Sequence, residues 1–337
     1  MKQLKRILSI VMLSIIMTTM TIPMEANAAS KLIVHFIDVG QGDAILIQSG
    51  SNYSLIDTGE ENKYSQLNTY LKKIKVKKIT NLIVTHPDSD HMGGADLVIK
   101  DYGVKKIYMT KYTSNSSEYK EMIAAIKKYK VKRVDVKKGT KISLGEVKAN
   151  VLYAADKAEN SNDSSIVLKL VHGKKSFLFT GDISAKVEKQ IAKDYNVNVD
   201  VLKVSHHGSS SSSAVSFIKE ASPQYSVISV GKNNNYGHPD KNVANRVKKY
   251  SNAVLRTDQK GTIVVTSTGT KLSYKTVVTP SSGGSSSSNT TQAVGSHVYI
   301  TATGKKYHSK KCGNGTYRKV TMKEAKVKGL TPCSKCY

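Results

Sequence analysis

Apolar and polar positions follow two rhythms between residues 29 and 278. Continuous apolar runs read as buried strands: KLIVHFIDV (31–39), DAILIQ (43–48), NLIVT (81–85), SIVLKLV (165–171), KSFLFTGD (175–182) and YSVISVG (225–231). Gly-Gln-Gly joins the first two, which predicts a hairpin, and SNYSLID (51–57) adds a third short strand. Other stretches have a helical period. In YSQLNTYLKKIK (64–75), Leu67, Leu71 and Ile74 share one face, and further helices are predicted from Gly93-Gly94 to about Lys100 and over 116–130, 184–195 and 240–250. Strands are also expected at 105–110, within 131–153, and at 199–208, 253–256, 262–267 and 271–278. The result is an α/β chain of two mixed halves whose strand ends carry His and Asp. That pattern predicts two sheets packed face to face with helices outside.

Both ends of the chain break the rhythm. Lys2, Lys5 and Arg6 precede an apolar run from Ile7 to Met20, and Ala26-Asn27-Ala28 offers a small-x-small cleavage site. Residues 1–28 therefore read as a secretory signal peptide. The run is shorter than the ~20 residues a membrane span needs. A secreted protein with no span in its mature form is expected, its oligomeric state left open. Residues 279–296, TPSSGGSSSSNTTQAVGS, read as an uncharged linker rich in Ser, Gly and Thr.

The formal charge of +27 changes the picture. Removing Lys2, Lys5, Arg6 and Glu25 leaves +25, which points to an anionic partner: nucleic acid, an anionic cell-wall polymer or a membrane surface. All three cysteines lie beyond residue 311, an odd and clustered set that makes a poor disulfide framework. With His308, the residues Cys312, Cys333 and Cys336 have the spacing of a closed structural Zn²⁺ site able to fold the short module 297–337. That module carries ten Lys and Arg against one Glu, with Tyr299, Tyr307 and Tyr317 interleaved, a composition suited to gripping a polyanion. Its pattern is similar to a small module appended to secreted bacterial nucleases and hydrolases.

The segment THPDSDHMGG (85–94) carries the chemistry. His86, Asp88, Asp90 and His91 place four potential metal ligands within six residues. Leaving a strand in extended geometry, residues 86, 88 and 90 would project to one side, with His91 at the turn. Carboxylates and imidazoles together suit divalent ions.

In order, DVGQGD (38–43), LIDTG (55–59), THPDSDHMGG, NDSSIVLKL (162–170), FLFTGD (177–182), VSHHGSSSS (204–212) and NYGHP (235–239) resemble the metallo-β-lactamase-fold domain of ComEC-type DNA-uptake proteins. The resemblance covers residues 31–278 and implies an αββα sandwich with a two-metal site. It makes His86 and Asp88 ligands of one metal and Asp90 and His91 ligands of the second. Asp182 becomes the bridging carboxylate. His206 or His207 supplies a further ligand, and the spacing leaves open which. Asp57 sits behind the site, orienting an imidazole. Two departures from a zinc-typical pattern stand out: Asp88 replaces a second His, and Asn162, Asp163 and Ser165 stand where a third-motif His would be. An oxygen-rich set favours Mn²⁺ over Zn²⁺, with Mg²⁺ a further candidate.

The activity implied is hydrolysis of DNA, and of RNA as a further substrate, by a metal-activated water. Asp90 and Asp182 are then catalytic, and His238 donates a proton to the leaving oxygen or clamps a phosphate. Ser209–Ser213 form a polar loop whose backbone N–H groups are candidates for holding phosphate. Two other readings fit the same residues: hydrolysis of another phosphodiester, such as a teichoic-acid choline ester or a nucleotide, and exported polyanion binding without catalysis.

Overall fold

The computed structural model describes residues 30–278 and, toward the C-terminus, residues 297–308, 312, 315–321, 324–325 and 328–333. The expected signal peptide, the expected linker and Cys336 lie outside the described residues. The chain divides into two compact units, residues 1–280 and 281–337.

In the first unit the early strands are β1 (Leu32–Phe36), β2 (Ile45–Ser49), β3 (Asn52–Ile56), β4 (Asn81–Ile83), β5 (Lys106–Met109) and β6 (Lys132–Asp135). Next come β7 (Lys141–Leu144), β8 (Val147–Tyr153), β9 (Val167–His172), β10 (Lys175–Phe179) and β11 (Val201–Lys203). The last four are β12 (Tyr225–Ile228), β13 (Ala253–Arg256), β14 (Thr262–Ser267) and β15 (Leu272–Val277). They form an eight-stranded sheet, ordered β15-β14-β1-β2-β3-β4-β5-β6, and a seven-stranded sheet, ordered β13-β12-β11-β10-β9-β8-β7.

Strands buried on both faces explain the continuous apolar runs. Phe36, Ile45, Ile47, Ile56 and Ile83 of the first sheet meet Leu168, Leu170, Phe177, Phe179 and Val201 of the second. The alternate residues Leu46, Leu55, Leu82 and Ile107 turn outward onto Leu67, Leu71, Val98 and Met122, which lie on helices Tyr64–Lys73, Ala95–Tyr102 and Ser117–Lys128. Leu178, Leu202 and Ile228 pack in the same way against Val187, Phe217 and Val243, on helices Ala185–Asp194, Val215–Ala221 and Lys241–Tyr250. Each fully buried Leu, Ile or Phe contributes about 1.5–3 kcal/mol, and the product is a four-layer αββα sandwich.

Several elements differ from the sequence expectation: the strand expected over 199–208 covers only Val201–Lys203, with Ser205–Gly208 a helical turn, and Thr257–Lys260 is a short helix where none is predicted. The chain leaves β4 at Ile83, and Ser89–Met92 is a helical turn preceded by Asp88 in extended conformation, so Asp90 and His91 reach the site by helical spacing, not by strand alternation. A helix over Val215–Ala221 follows the serine run where the pattern predicts none.

The second unit contains β16 (His297–Thr301), β17 (Lys306–His308), β18 (Tyr317–Thr321) and β19 (Thr331–Pro332), ordered β18-β16-β17-β19. Val298, Ile300, Val320 and Ala325 form its small core.

Candidate metal centre

Strands β3 to β6 run parallel, as do β10 to β13. Chemistry collects beyond the carboxyl ends of such strands, where backbone groups are released from the ladder. Asp57 follows β3, Thr85 and His86 follow β4, Asp182 follows β10, and His206 and His207 follow β11.

Four side chains form the centre of the site: ligand atoms of Asp90, His91, Asp182 and His207 all lie within 4.8 Å of one another. His91 Nε2 is 3.2 Å from His207 Nε2 and 3.2 Å from Asp182 Oδ1. His207 Nε2 is 3.2 Å from both Asp90 Oδ2 and Asp182 Oδ2. Beside them, His86 Nε2 is 3.6 Å from Asp88 Oδ2, and the His86 and His91 rings are 4.1 Å apart. Ser161 donates a hydrogen bond to Asp88 Oδ2 at 3.0 Å.

The pair left open by the sequence separates clearly. His207 is buried, with Nδ1 2.9 Å from the Ser229 carbonyl. His206 stands further out, its Nε2 3.7 Å from Asp182 Oδ2 and its Nδ1 3.3 Å from Ser211 Oγ. Both residues have left-handed backbones, with φ of +51° and +52°, a conformation that costs about 1–2 kcal/mol for an L-residue. Gly208, at φ +82°, lets Pro239 approach: a Cβ there would meet the Pro239 Cβ at 2.5 Å.

Asp57 is wholly buried. Its Oδ2 is 2.8 Å from His91 Nδ1 and accepts from Thr85 Oγ1 at 2.6 Å, while Oδ1 accepts from the Thr85 N–H at 2.8 Å. Ser165 Oγ is 3.2 Å from His86 Nδ1 and also accepts from the Asp182 N–H at 3.0 Å. Asn162 lines the cleft. Asp163 instead points away, accepting from Ser184 N–H and Oγ at the start of helix Ala185–Asp194. The serine loop also departs from expectation, because four of the five amides of Ser209–Ser213 are already used, that of Ser209 by the His206 carbonyl. Ser211 N–H donates to Ser209 Oγ, Ser212 N–H to the Ser209 carbonyl and Ser213 N–H to Glu188, so it offers no phosphate nest.

Sequence reasoning missed two partners behind the site. Lys203 is fully buried; its Nζ is 2.8 Å from Asp43 Oδ2 and donates to the Val204 carbonyl at 2.9 Å. Asp43 Oδ1 lies 3.7 Å from His207 Nδ1. A lysine inside the apolar run VDVLKV was the available signal, since an unpaired buried ammonium is costly.

The donor set fits divalent cations. The His207 ring donates from Nδ1 to the Ser229 carbonyl, and the His91 Nδ1–H faces Asp57. In neutral rings both Nε2 lone pairs then face each other at 3.2 Å among carboxylates, an arrangement that requires positive charge between them. Without an ion the charge falls on the rings. Burial opposes it, yet Asp182 and then Asp90 hold His91 well above the usual histidine range. Against the same burial, Asp182 and Asp90 lift His207 to about 10. Burial works to raise the Asp182 pKa, but His207 and His91 hold it well below the carboxylate range. His86 Nε2 is buried with no hydrogen-bond partner. The cleft in front, about 460 Å³, is lined by Asp88, Asp90, Glu118, Asp182, His206, His207 and His238 together with uncharged residues, and by no Lys or Arg among the described residues.

This sandwich, with an Asp/His cluster at the ends of both sheets, defines a metal-dependent hydrolase architecture. The metallo-beta-lactamase superfamily model matches residues 37–232, and the chain belongs to that superfamily. It is 34% identical over 251 residues to ComE operon protein 3 of Bacillus subtilis (strain 168), covering 68% of this chain and 32% of that one. It is 30% identical over 246 residues to competence protein ComA of Neisseria gonorrhoeae, covering 71% and 33%. The chain thus matches about a third of the length of these ComEC-type relatives. Among solved structures, the metallo-beta-lactamase fold protein YhfI from Bacillus subtilis aligns with a TM-score of 0.47 and 12% identity, over 67% of this chain and 95% of that one.

In the second unit, His308 Nδ1 is 2.9 Å from Cys312 Sγ, and Cys312 Sγ is 3.8 Å from Cys333 Sγ.

Proposed function

We propose that this chain is an exported, divalent-metal-dependent phosphodiesterase that hydrolyses DNA. The observation that carries the reading is the facing pair of His91 and His207 Nε2 atoms among carboxylates, at the floor of a cleft that no described Lys or Arg lines. Such a cleft repels a phosphodiester until cations fill it. The competence-protein relative and the resemblance to DNA-uptake proteins support nucleic acid as the substrate, and the N-terminal pattern of charged, apolar and small residues supports export.

In this reading His86 and Asp88 hold one ion, Asp90, His91 and His207 the second, and Asp182 serves both. Two bound divalent ions would polarise a phosphoryl oxygen and make an attacking water more acidic. Asp57 fixes the His91 ring, and the Ser229 carbonyl fixes that of His207. Asp90, partly open to the cleft, orients the water. His238 is held below the usual histidine pKa, first by burial and then by His207 and His206, so its ring is mainly neutral and serves through its N–H as a clamp on a phosphoryl oxygen. Asp88 with Asp182 makes the His86 side oxygen-rich, which favours Mn²⁺ over Zn²⁺ or Mg²⁺. In the second unit, His308, Cys312 and Cys333, with Cys336 as fourth ligand, would hold a structural Zn²⁺.

The test is turnover of plasmid, single-stranded DNA and bis-p-nitrophenyl phosphate with each metal. Asp182→Ala is expected to abolish hydrolysis of all three. Turnover retained in that variant removes the two-metal reading, and cleavage of the small diester but not of DNA transfers the activity to another phosphodiester.

A further inference from the structure

We propose that Tyr236 is a stacking platform for a nucleobase of the substrate, so that the cleft selects a strand whose bases are unpaired. The inference rests on the nuclease reading above and adds the form of nucleic acid to it. Among the described residues, six large apolar or aromatic side chains are well exposed, and Tyr236, at 66%, is the one that lines the cleft. Its ring begins a ladder. The Tyr236 and His238 rings are 5.6 Å apart with planes 25° from parallel, and those of His238 and His207 are 6.4 Å apart at 27°. Three near-parallel rings thus step from the mouth of the cleft to its metal-binding floor.

The loop that presents Tyr236 is braced. Asn234 Oδ1 accepts from the N–H groups of Tyr236 and His238 at 3.1 and 3.0 Å, and Asn234 Nδ2 donates to the carbonyls of Gly231 and His238 at 3.0 and 2.6 Å. A ring carried on a backbone braced in this way costs little loop ordering when it takes a ligand. Among the described residues the lining has no Lys or Arg, so with the histidines at the floor committed to the ions, stacking and hydrogen bonds remain to hold a nucleotide. Aromatic stacking suits this because every base has a π-face. A base inside a duplex has both faces covered by its neighbours, whereas an unpaired strand presents them.

The test compares a single-stranded oligonucleotide with an abasic one of equal length, using the metal-loaded mature chain. Tyr236→Ala is expected to raise KM on the base-bearing strand about tenfold with little change in kcat, and to leave KM on the abasic strand unchanged. Tyr236→Phe and Tyr236→Trp are expected to behave as wild type, since the ring and not the hydroxyl matters. Equal losses on both strands would mean that the ring only supports His238, and no loss on either would mean that it touches nothing; both overturn the proposal. If the wild type cleaves no nucleic acid, the nuclease reading fails separately. The chain has no Trp, so Tyr236→Trp then provides a lone indole at the cleft mouth. Quenching by oligothymidylate but not by the abasic strand would keep the platform, and absent or equal quenching would overturn it.

Discussion

At the scale of a residue, Asp57 does several things at once. Its backbone lies at φ +58°, and its two oxygens accept from Thr85 twice and face His91 Nδ1. The carboxylate therefore selects the tautomer that leaves His91 Nε2 free to bind a cation. Asp57→Asn offers one oxygen where two are needed and sets an N–H₂ against a donor. We expect metal affinity to fall about 10–100-fold with little change in fold, measured by calorimetric titration of the apo protein with Mn²⁺. Asp57, Asp182 and the SHHG pair were legible because each polar residue ends an apolar run. The choice between His206 and His207 was not, because it depends on consecutive left-handed residues and on a carbonyl from another strand. Asp43 and Lys203 escaped for a similar reason: their ion pair is created by packing between distant segments.

At the scale of an element, the helix Ala185–Asp194 carries the loop from Ser205 to Ala214. Glu188, fully buried, accepts from Ser205 Oγ at 2.7 Å, from Ser213 N–H at 2.9 Å and from Ala214 N–H at 2.7 Å. Glu188→Ala leaves three donors without an acceptor. A loss of at least about 2 kcal/mol is expected from urea midpoints, with reduced turnover because the same loop positions His207. The sequence read this loop as open because a serine run gives no sign of where its hydrogen bonds go; the answer comes from a helix that precedes it in the chain.

A second element contact brings a pH dependence. His35, on the outer face of β1, is buried with Nδ1 2.8 Å from the Tyr70 hydroxyl of helix Tyr64–Lys73. Burial first, then Lys275, lower its pKa to about 4, with Gln48 opposing. Between about pH 6.5 and 4 the unfolded chain binds a proton that the folded chain refuses, so this contribution is complete above pH 6.5 and is lost as pH falls toward 4. The loss is roughly 3 kcal/mol. Glu188 acts with the opposite sign. Burial, against its hydrogen bonds, raises it to about 7, so the folded chain holds the extra proton and stability falls as pH rises from about 4.5 to 7. A wild-type pH profile therefore mixes the two. The difference in urea stability between wild type and His35→Gln, which keeps a partner for Tyr70, isolates the histidine: it should narrow by roughly 3 kcal/mol from pH 7 to 4. A constant difference would mean that His35 is protonated in the fold.

At the scale of the whole molecule, charge is divided between surface and cleft. The chain has 52 Lys and Arg against 25 Asp and Glu, and pairs of exposed lysines close helices at Lys72-Lys73, Lys127-Lys128 and Lys248-Lys249, where they complement the helix dipole. None of these cations lines the cleft. In the proposed reading, attraction to a polyanion would be long-range and spread over the surface, whereas the bond-breaking step would take place among carboxylates and imidazoles that salt screens little. The two parts should respond differently to ionic strength. Raising salt from about 50 to about 200 mM displaces the counterion-release advantage of a long DNA and should raise its KM steeply, by a factor of about 10³ if six phosphates are neutralised. Bis-p-nitrophenyl phosphate reaches the cleft without that advantage, and its kcat/KM should change little over the same range. A parallel fall for both substrates would show salt acting on the metal centre itself. A flat response for both would mean that the basic surface serves some partner other than the substrate.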